Sequence, residues 1–191
     1  DMAMLYSEKP CVAAGTFTTN VVKAAPVLWD KKIVTGSAYA QVVVINAGIA
    51  NACTGEEGFG YCRATAEKTA EILSIPADAV LVASTGVIGM QIPIDRICNG
   101  VEQMSGKLNG DITSGHEAAL AIMTTDTHEK EVAVQFAVGD KTVTVGGGVA
   151  ANGYLRDKIT EACKKNGLKL VLPEKVFCTD NAAMIGAEGY I

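Results

Sequence analysis

The stretch Gln41–Gly55, QVVVINAGIANACTG, decides how the rest of the chain is read. Its opening residues, Gln41 to Ile45, carry a continuous β-branched run of the kind expected in a strand buried on both faces. The run breaks at once into Asn46-Ala47-Gly48 and Asn51-Ala52-Cys53-Thr54-Gly55, small and turn-forming residues that read as a loop. Working outward, Tyr61 to Leu73 sets Ala66, Ala70 and Leu73 at helical spacing, with Glu67, Lys68 and Glu71 on the other side. Ala79 to Ala83 (AVLVA) is a second buried strand, ending at Ser84-Thr85-Gly86. Pro93–Met104 and Gly115–Met123 read as helices. Upstream, Val12–Asn20 is small and Thr-rich, and Val21–Ala25 looks helical with Pro26 limiting it. Strands and helices in this order predict an α/β fold, a mixed layered arrangement of sheet and helix.

Further on, Glu131–Val138 and Lys141–Val145 alternate as an antiparallel hairpin turned by Gly139-Asp140. Gly146-Gly147-Gly148 follows, and the pattern changes there. Asn152–Asn166 is an amphipathic helix carrying Leu155, Ile159, Ala162 and Cys163, closed by Gly167. Leu168–Leu172 reads as a strand stopped by Pro173, and Asn181–Glu188 as a short helix entered from Thr179-Asp180. Two pieces are therefore expected, residues 1–147 and a small βαβ-like module over 146–191.

Composition narrows the function classes. With 191 residues, 49% hydrophobic and 5% aromatic, the chain has ample Ala, Val, Ile and Leu for tight α/β layers. A net charge of -5 argues against a broad nucleic-acid footprint, which needs clustered Lys and Arg. No apolar run is long enough to span a bilayer, and the residues after Asp1 do not have the form of a signal peptide. Six widely spaced cysteines without CxxC read as buried or free thiols in a reducing cytoplasm.

Several segments could carry chemistry. Small residues at Ser84-Thr85-Gly86 let backbone N–H groups face an open site, and the Thr hydroxyl adds a donor, the equipment of an oxyanion hole. A strand-to-loop turn with a hydroxyl cap is the plainer reading of the same residues. Thr124-Thr125-Asp126-Thr127 can hold a polar substrate or simply satisfy a helix end. His116 and His128 lack ligand-type spacing and read as structural or solvent-facing. Gly146–Gly148 ahead of a helix suits either a phosphate or a tight turn.

Taken in order, VAAGTFTTNVVKAAPV (Val12–Val27), INAGIANACTG (Ile45–Gly55), VLVASTGVIGMQIPI (Val80–Ile94) and AIMTTDT (Ala121–Thr127) resemble ornithine acetyltransferase, also called glutamate N-acetyltransferase. The resemblance covers Asp1 to about Gly147. It implies acetyl transfer from N-acetylornithine to glutamate in arginine biosynthesis, with no bound cofactor and with acetyl-CoA as a further donor in some members. It also implies a precursor that cleaves itself, the new N-terminal Thr of the second chain becoming the nucleophile. By matching residues, Thr85 and Gly86 correspond to the oxyanion-hole pair, and Thr124, Thr125, Asp126 and Thr127 to a substrate-binding stretch. Ile49 stands where an Asn is common. The Lys-Gly segment and Ala-Thr cleavage point that the family carries beyond Gly147 do not occur here. The expectation is an alpha-chain-like half-site, completed by a complementary second chain and inclined to self-association.

GGGVAANGYLRDKI (Gly146–Ile159), LKLVLP (Leu168–Pro173) and CTDNAAMIG (Cys178–Gly186) resemble the C-terminal segment of a tRNA threonylcarbamoyladenosine transferase. That resemblance implies nucleotide contacts, ATP among them, at Gly147, Gly148 and Asn152, and a metal ligand at Asp180. Its histidine pair is missing, so Asp180 is expected as a helix N-cap and no metal is expected. The acetyltransferase reading ranks first by extent of match. The nucleotide-binding remnant is second, and a non-enzymatic fusion or truncated product third.

Overall fold

The structure, a computed structural model, describes residues 1–129, 135–138, 141–144, 153–165 and 167. The chain divides into two units, Asp1–Leu108 and Asn109–Ile191. Among the described residues no helix is long and apolar enough to cross a membrane.

In the first unit, β1 (Met2–Val12), β2 (Tyr39–Ile49) and β3 (Val80–Val87) form one sheet in the order β1-β2-β3. β1 runs antiparallel to β2, with Met2 opposite Asn46 and a register shift between Tyr6 and Cys11. β2 and β3 run parallel, from Val42 opposite Val80 to Ile49 opposite Val87. A parallel pair needs a crossover, supplied by α2 (Gly55–Leu73) and a single 3-10 turn, Ala77–Ala79. Before β2 comes α1 (Ala25–Gly36), and after β3 comes α3 (Ile94–Ser105). The fold is α/β, as the order of segments indicates.

The sheet is covered more fully on one face than on the other. Ala40, Val42, Val44 and Asn46 of β2 are buried, whereas Gln41, Val43, Ile45 and Ala47 between them are only half-buried. The expectation of burial on both faces is corrected accordingly. The reason is that Trp29 and Ile33 of α1, Cys62 and Ala66 of α2 and Val101 of α3 share one core with Val42, Val44, Val80 and Val82. Each fully buried Val contributes about 1.5–3 kcal/mol. Small residues line the buried side of α2, and its two buried hydroxyls bond one turn back, Thr65 Oγ1 to the Tyr61 carbonyl (2.8 Å) and Thr69 Oγ1 to the Thr65 carbonyl (2.7 Å). No polar side chain is thereby stranded on that face.

Pro26 starts a helix instead of ending one. Residues 21–24 are not helical, and Pro26 sits in the first turn of α1, where its missing N–H costs nothing and its fixed φ suits the helix. α1 then docks along the free edge of β3. Trp29 Nε1 donates to the Val80 carbonyl (2.9 Å), and Val82 N–H donates to Asp30 Oδ1 (2.9 Å). Two exposed ladder positions of an edge strand are satisfied in this way. Trp29 also packs against Phe59 of α2, ring centres 5.4 Å apart.

The second unit contains α4 (Ile112–Ala121), starting three residues before the expected Gly115 because Asp111 caps it, accepting from Ser114 N–H at 2.7 Å. β4 (Gln135–Val138) and β5 (Lys141–Thr144) pair antiparallel with Val138 opposite Lys141, the expected hairpin. α5 (Gly153–Lys165) buries Cys163 and is followed by Gly167, whose N–H donates to the Lys164 carbonyl (3.3 Å). The expected turn at Gly139-Asp140, the Gly146–Gly148 join, the strand Leu168–Leu172 and the helix Asn181–Glu188 lie outside the described residues.

Candidate functional site

The carboxyl ends of β2 and β3 lie side by side, with Ala47 opposite Thr85 and Gly48 opposite Gly86. Along a strand, side chains alternate between faces. Ser84 therefore shares the core side with Val80 and Val82, while Thr85 points to the other face. β3 does not turn at Ser84-Thr85-Gly86, as the residue types suggest, but continues to Val87. What keeps it extended is its pairing with β2, which runs to Ile49 opposite Val87, together with the chain leaving β2. Ala50 N–H donates to the Val87 carbonyl (2.9 Å), and Asn51 N–H to Ser84 Oγ (2.9 Å). Ser84 Oγ donates in turn to the Ile49 carbonyl (3.1 Å), which also accepts from Asn46 Nδ2 (2.8 Å).

Gly86 has φ +132° and its neighbour Gly48 φ +115°, backbone that essentially only glycine adopts. A Cβ on Gly86 would collide with the Gly48 carbonyl and the Ile49 nitrogen. Glycine at 86 thus answers both a conformational and a spatial demand, and it leaves the end of β3 without side-chain cover. Thr85 and Gly86 are both exposed there.

Beneath this end lies Asn51, 2% exposed with all its polar groups engaged. Its Nδ2 donates to the Gly58 carbonyl (2.8 Å) and contacts Cys62 Sγ (3.3 Å), and its Oδ1 accepts from Thr54 Oγ1 (2.7 Å). Its carbonyl accepts from Ala25 N–H (3.3 Å), tying the start of α1 to the same point. A Cβ on Gly58 would strike Thr54 Oγ1 and Asn51 Oδ1, which accounts for a glycine inside α2.

Two acids lie beside the network, Cys62 buried and Asp30 half-buried. Burial pushes the Cys62 thiol up to about 12, with the Asp30 carboxylate adding to the effect, so the thiol stays protonated and unreactive. Burial raises the Asp30 carboxyl to about 6, against the smaller pull of the Val82 N–H. Neither group reaches the exposed strand end. Among the described residues no group of three His, Cys, Asp or Glu side chains could hold a metal.

Of the residues singled out in the sequence, Thr85 and Gly86 are brought together at one strand end. Thr124, Thr125, Asp126 and Thr127 belong to the second unit, just after α4; the three threonines are exposed and Asp126 is half-buried. Thr127 Oγ1 lies 3.1 Å from His128 Nδ1. Gly147, Gly148, Asn152 and Asp180 lie outside the described residues. The clamp formed by Asn46, Asn51 and Ser84 went unassigned in the sequence. Its signal was the placing of polar residues directly after two buried strands.

Compared with known proteins, the sequence matches the profile of the ArgJ family over residues 1–156. It is 40% identical to the arginine biosynthesis bifunctional protein ArgJ of Thermotoga neapolitana, over an alignment covering 99% of this chain and 49% of that protein. ArgJ 1 of Clostridium acetobutylicum is 50% identical over 76% of this chain and 35% of that protein. The chain thus spans half or less of the length of these relatives. The crystal structure of Bacillus halodurans ArgJ superposes with a TM-score of 0.69 at 39% identity, covering 76% of this chain and 75% of that one. The ornithine complex of Mycobacterium tuberculosis ornithine acetyltransferase gives 0.65 at 41% identity, covering 75% and 77%. The Thermotoga alignment runs through the stretch after Gly147. The segment expected to resemble a tRNA threonylcarbamoyladenosine transferase therefore falls within a match to an ArgJ protein.

Proposed function

The chain belongs to the ArgJ family, and on that premise we propose that it forms the oxyanion-stabilising half of a site that moves an acetyl group from N-acetylornithine to glutamate. The observation that carries the reading is the exposed Thr85–Gly86 end of β3, held extended by the Ser84 and Asn51 hydrogen bonds. In acyl transfer a hydroxyl oxygen attacks the acetyl carbonyl carbon, and the carbonyl electron pair moves onto oxygen. The Thr85 hydroxyl and the Gly86 N–H are the donors assigned to that oxyanion. Collapse of the intermediate expels the ornithine amine, which takes up the proton; the glutamate amine then attacks the acetyl ester, the ester C–O bond breaks, and the released hydroxyl oxygen regains a proton from that amine. A donor of this kind is worth about 10²–10³ in rate.

The nucleophilic hydroxyl comes in this proposal from a complementary second chain. Thr124, Thr125, Asp126 and Thr127 supply substrate contacts. The ornithine found in the Mycobacterium tuberculosis relative supports an amino-acid substrate of that class. The reaction needs no resident cofactor, with acetyl-CoA as an alternative donor, and the cytoplasm is the proposed compartment.

The test is reconstitution. The chain alone is expected to transfer no acetyl group. Mixed with the part of Thermotoga neapolitana ArgJ that it does not span, it is expected to convert N-acetylornithine and glutamate to ornithine and N-acetylglutamate. Turnover by the lone chain, or a silent mixture, would sink the half-site reading.

A further inference from the structure

We propose that Ser84 is a positioning residue, whose hydroxyl fixes the Thr85–Gly86 strand end by bridging the Asn51 amide and the Ile49 carbonyl. The inference rests on the acetyl-transfer reading and deepens it. Side-chain packing does not hold this end, since Thr85, Gly86 and Val87 are all exposed, and beyond its pairing with Ala47–Ile49 of β2 its anchor to the core is Ser84. The two hydrogen bonds from α1 fall at Val80 and Val82, ahead of it. The Ser84 hydroxyl uses its one proton on the Ile49 carbonyl at 3.1 Å and a lone pair on the Asn51 N–H at 2.9 Å. Among small side chains only a hydroxyl gives both at once.

Asn51 is itself anchored to Gly58 and Thr54 of the α2 entry and to Ala25 of α1. Ser84 therefore connects the core network to the residue directly before Thr85. Without its hydroxyl the buried Asn51 N–H has no acceptor, and the loop and strand end lose their common pin. Donors aimed at a transition state tolerate little displacement; an error near 1 Å costs about 10²-fold.

The experiment has two arms, both on the full chain. Amide hydrogen exchange is read at Asn51 and at Ala50, whose N–H donates to the Val87 carbonyl, and kcat and KM are read after reconstitution with the Thermotoga neapolitana remainder. Ser84→Ala is expected to speed exchange at the Asn51 and Ala50 amides and to lower kcat by about 10–100-fold, with KM for N-acetylornithine unchanged. Ser84→Thr, which keeps the hydroxyl, is expected to restore protection and kcat together. Ser84→Cys keeps the bulk with weaker bonding, and it replaces Ser84→Ala should that variant not fold, with loss in the same direction. Wild-type kcat in the Ala or Cys variant, a loss carried by KM, or no rescue by Thr overturns the proposal. Unchanged Asn51 exchange overturns the clamp by itself. Silence of the wild-type mixture overturns the acetyl-transfer reading, and with it the catalytic part of this one.

Discussion

The two ends of β3 are held by opposite means. Its start, Val80 to Val82, lies in the core, with α1 laid along the free edge through Trp29 and Asp30. Its end, Ser84 to Val87, is held by pairing with β2, by loop amides and by the Ser84 hydroxyl, and Thr85 to Val87 stay exposed. One strand thus joins a seam that carries stability to an edge that can carry chemistry. Exposure at that end is what the proposed donor role requires, because a donor covered by side chains cannot meet a substrate. The cost is that polar contacts worth about 1 kcal/mol each replace burial there.

That contrast can be broken from either end. Trp29→Ala should have the largest effect, removing a buried ring and its bond to the Val80 carbonyl. A loss of about 3–5 kcal/mol is expected in urea denaturation. A midpoint near wild type would show that α1 does not secure the seam. Gly86→Ala comes next, because its Cβ collides with Gly48 and Ile49. The reconstituted enzyme should lose about 10²–10³ in rate, more than its stability loss explains. Retained turnover would mean that the close approach of the two strand ends is dispensable.

Asp30→Asn sharpens the account of the seam. The Asp30 carboxyl is raised from 3.8 to about 6 in the fold. The fold therefore favours its protonated form, and the associated stability is full below the unfolded value and is lost as pH rises through about 6. The loss amounts to about 2–3 kcal/mol above that range. Asn keeps an oxygen for the Val82 N–H and carries no charge. The variant should be more stable at neutral pH, and the fall in stability between pH 3.8 and about 6 should flatten. An unchanged slope in denaturation midpoints would assign the titration to another group. Lys68→Ala serves as the quiet case. Its pairs with Glu102 (3.7 Å) and Glu71 (3.9 Å) are on the surface, so a change under about 0.5 kcal/mol is expected.

The legible parts of the sequence were those whose residue type and environment agree. The β-branched cores of β2 and β3 and the helical spacing of α2, α3 and α5 are of this kind. β1 is not legible in the sequence because it is an edge strand, half exposed, with Lys9 and Pro10 near its end and a register shift before Cys11. The start of α1 is ambiguous in the sequence because Pro26 can end one helix or open the next, and the tertiary contact from Ala25 to Asn51 decides between them. Gly58 and Gly60 hid the first turns of α2, although Gly58 is there to let Thr54 and Asn51 approach. At the candidate site, the sequence pointed to Thr85 and Gly86 through their family resemblance. It did not reveal that Ser84 and Asn51 hold them, because that bond crosses 33 residues.

The most direct test of the contrast is Thr85→Ala, measured for kcat in the reconstituted enzyme and for stability in urea. Thr85 is exposed, so its loss should leave the denaturation midpoint in place. An unmoved midpoint is expected together with a kcat lowered by about 10²–10³-fold. A wild-type kcat at an unchanged midpoint would contradict it, because the open end of β3 would then hold no donor that the reaction uses.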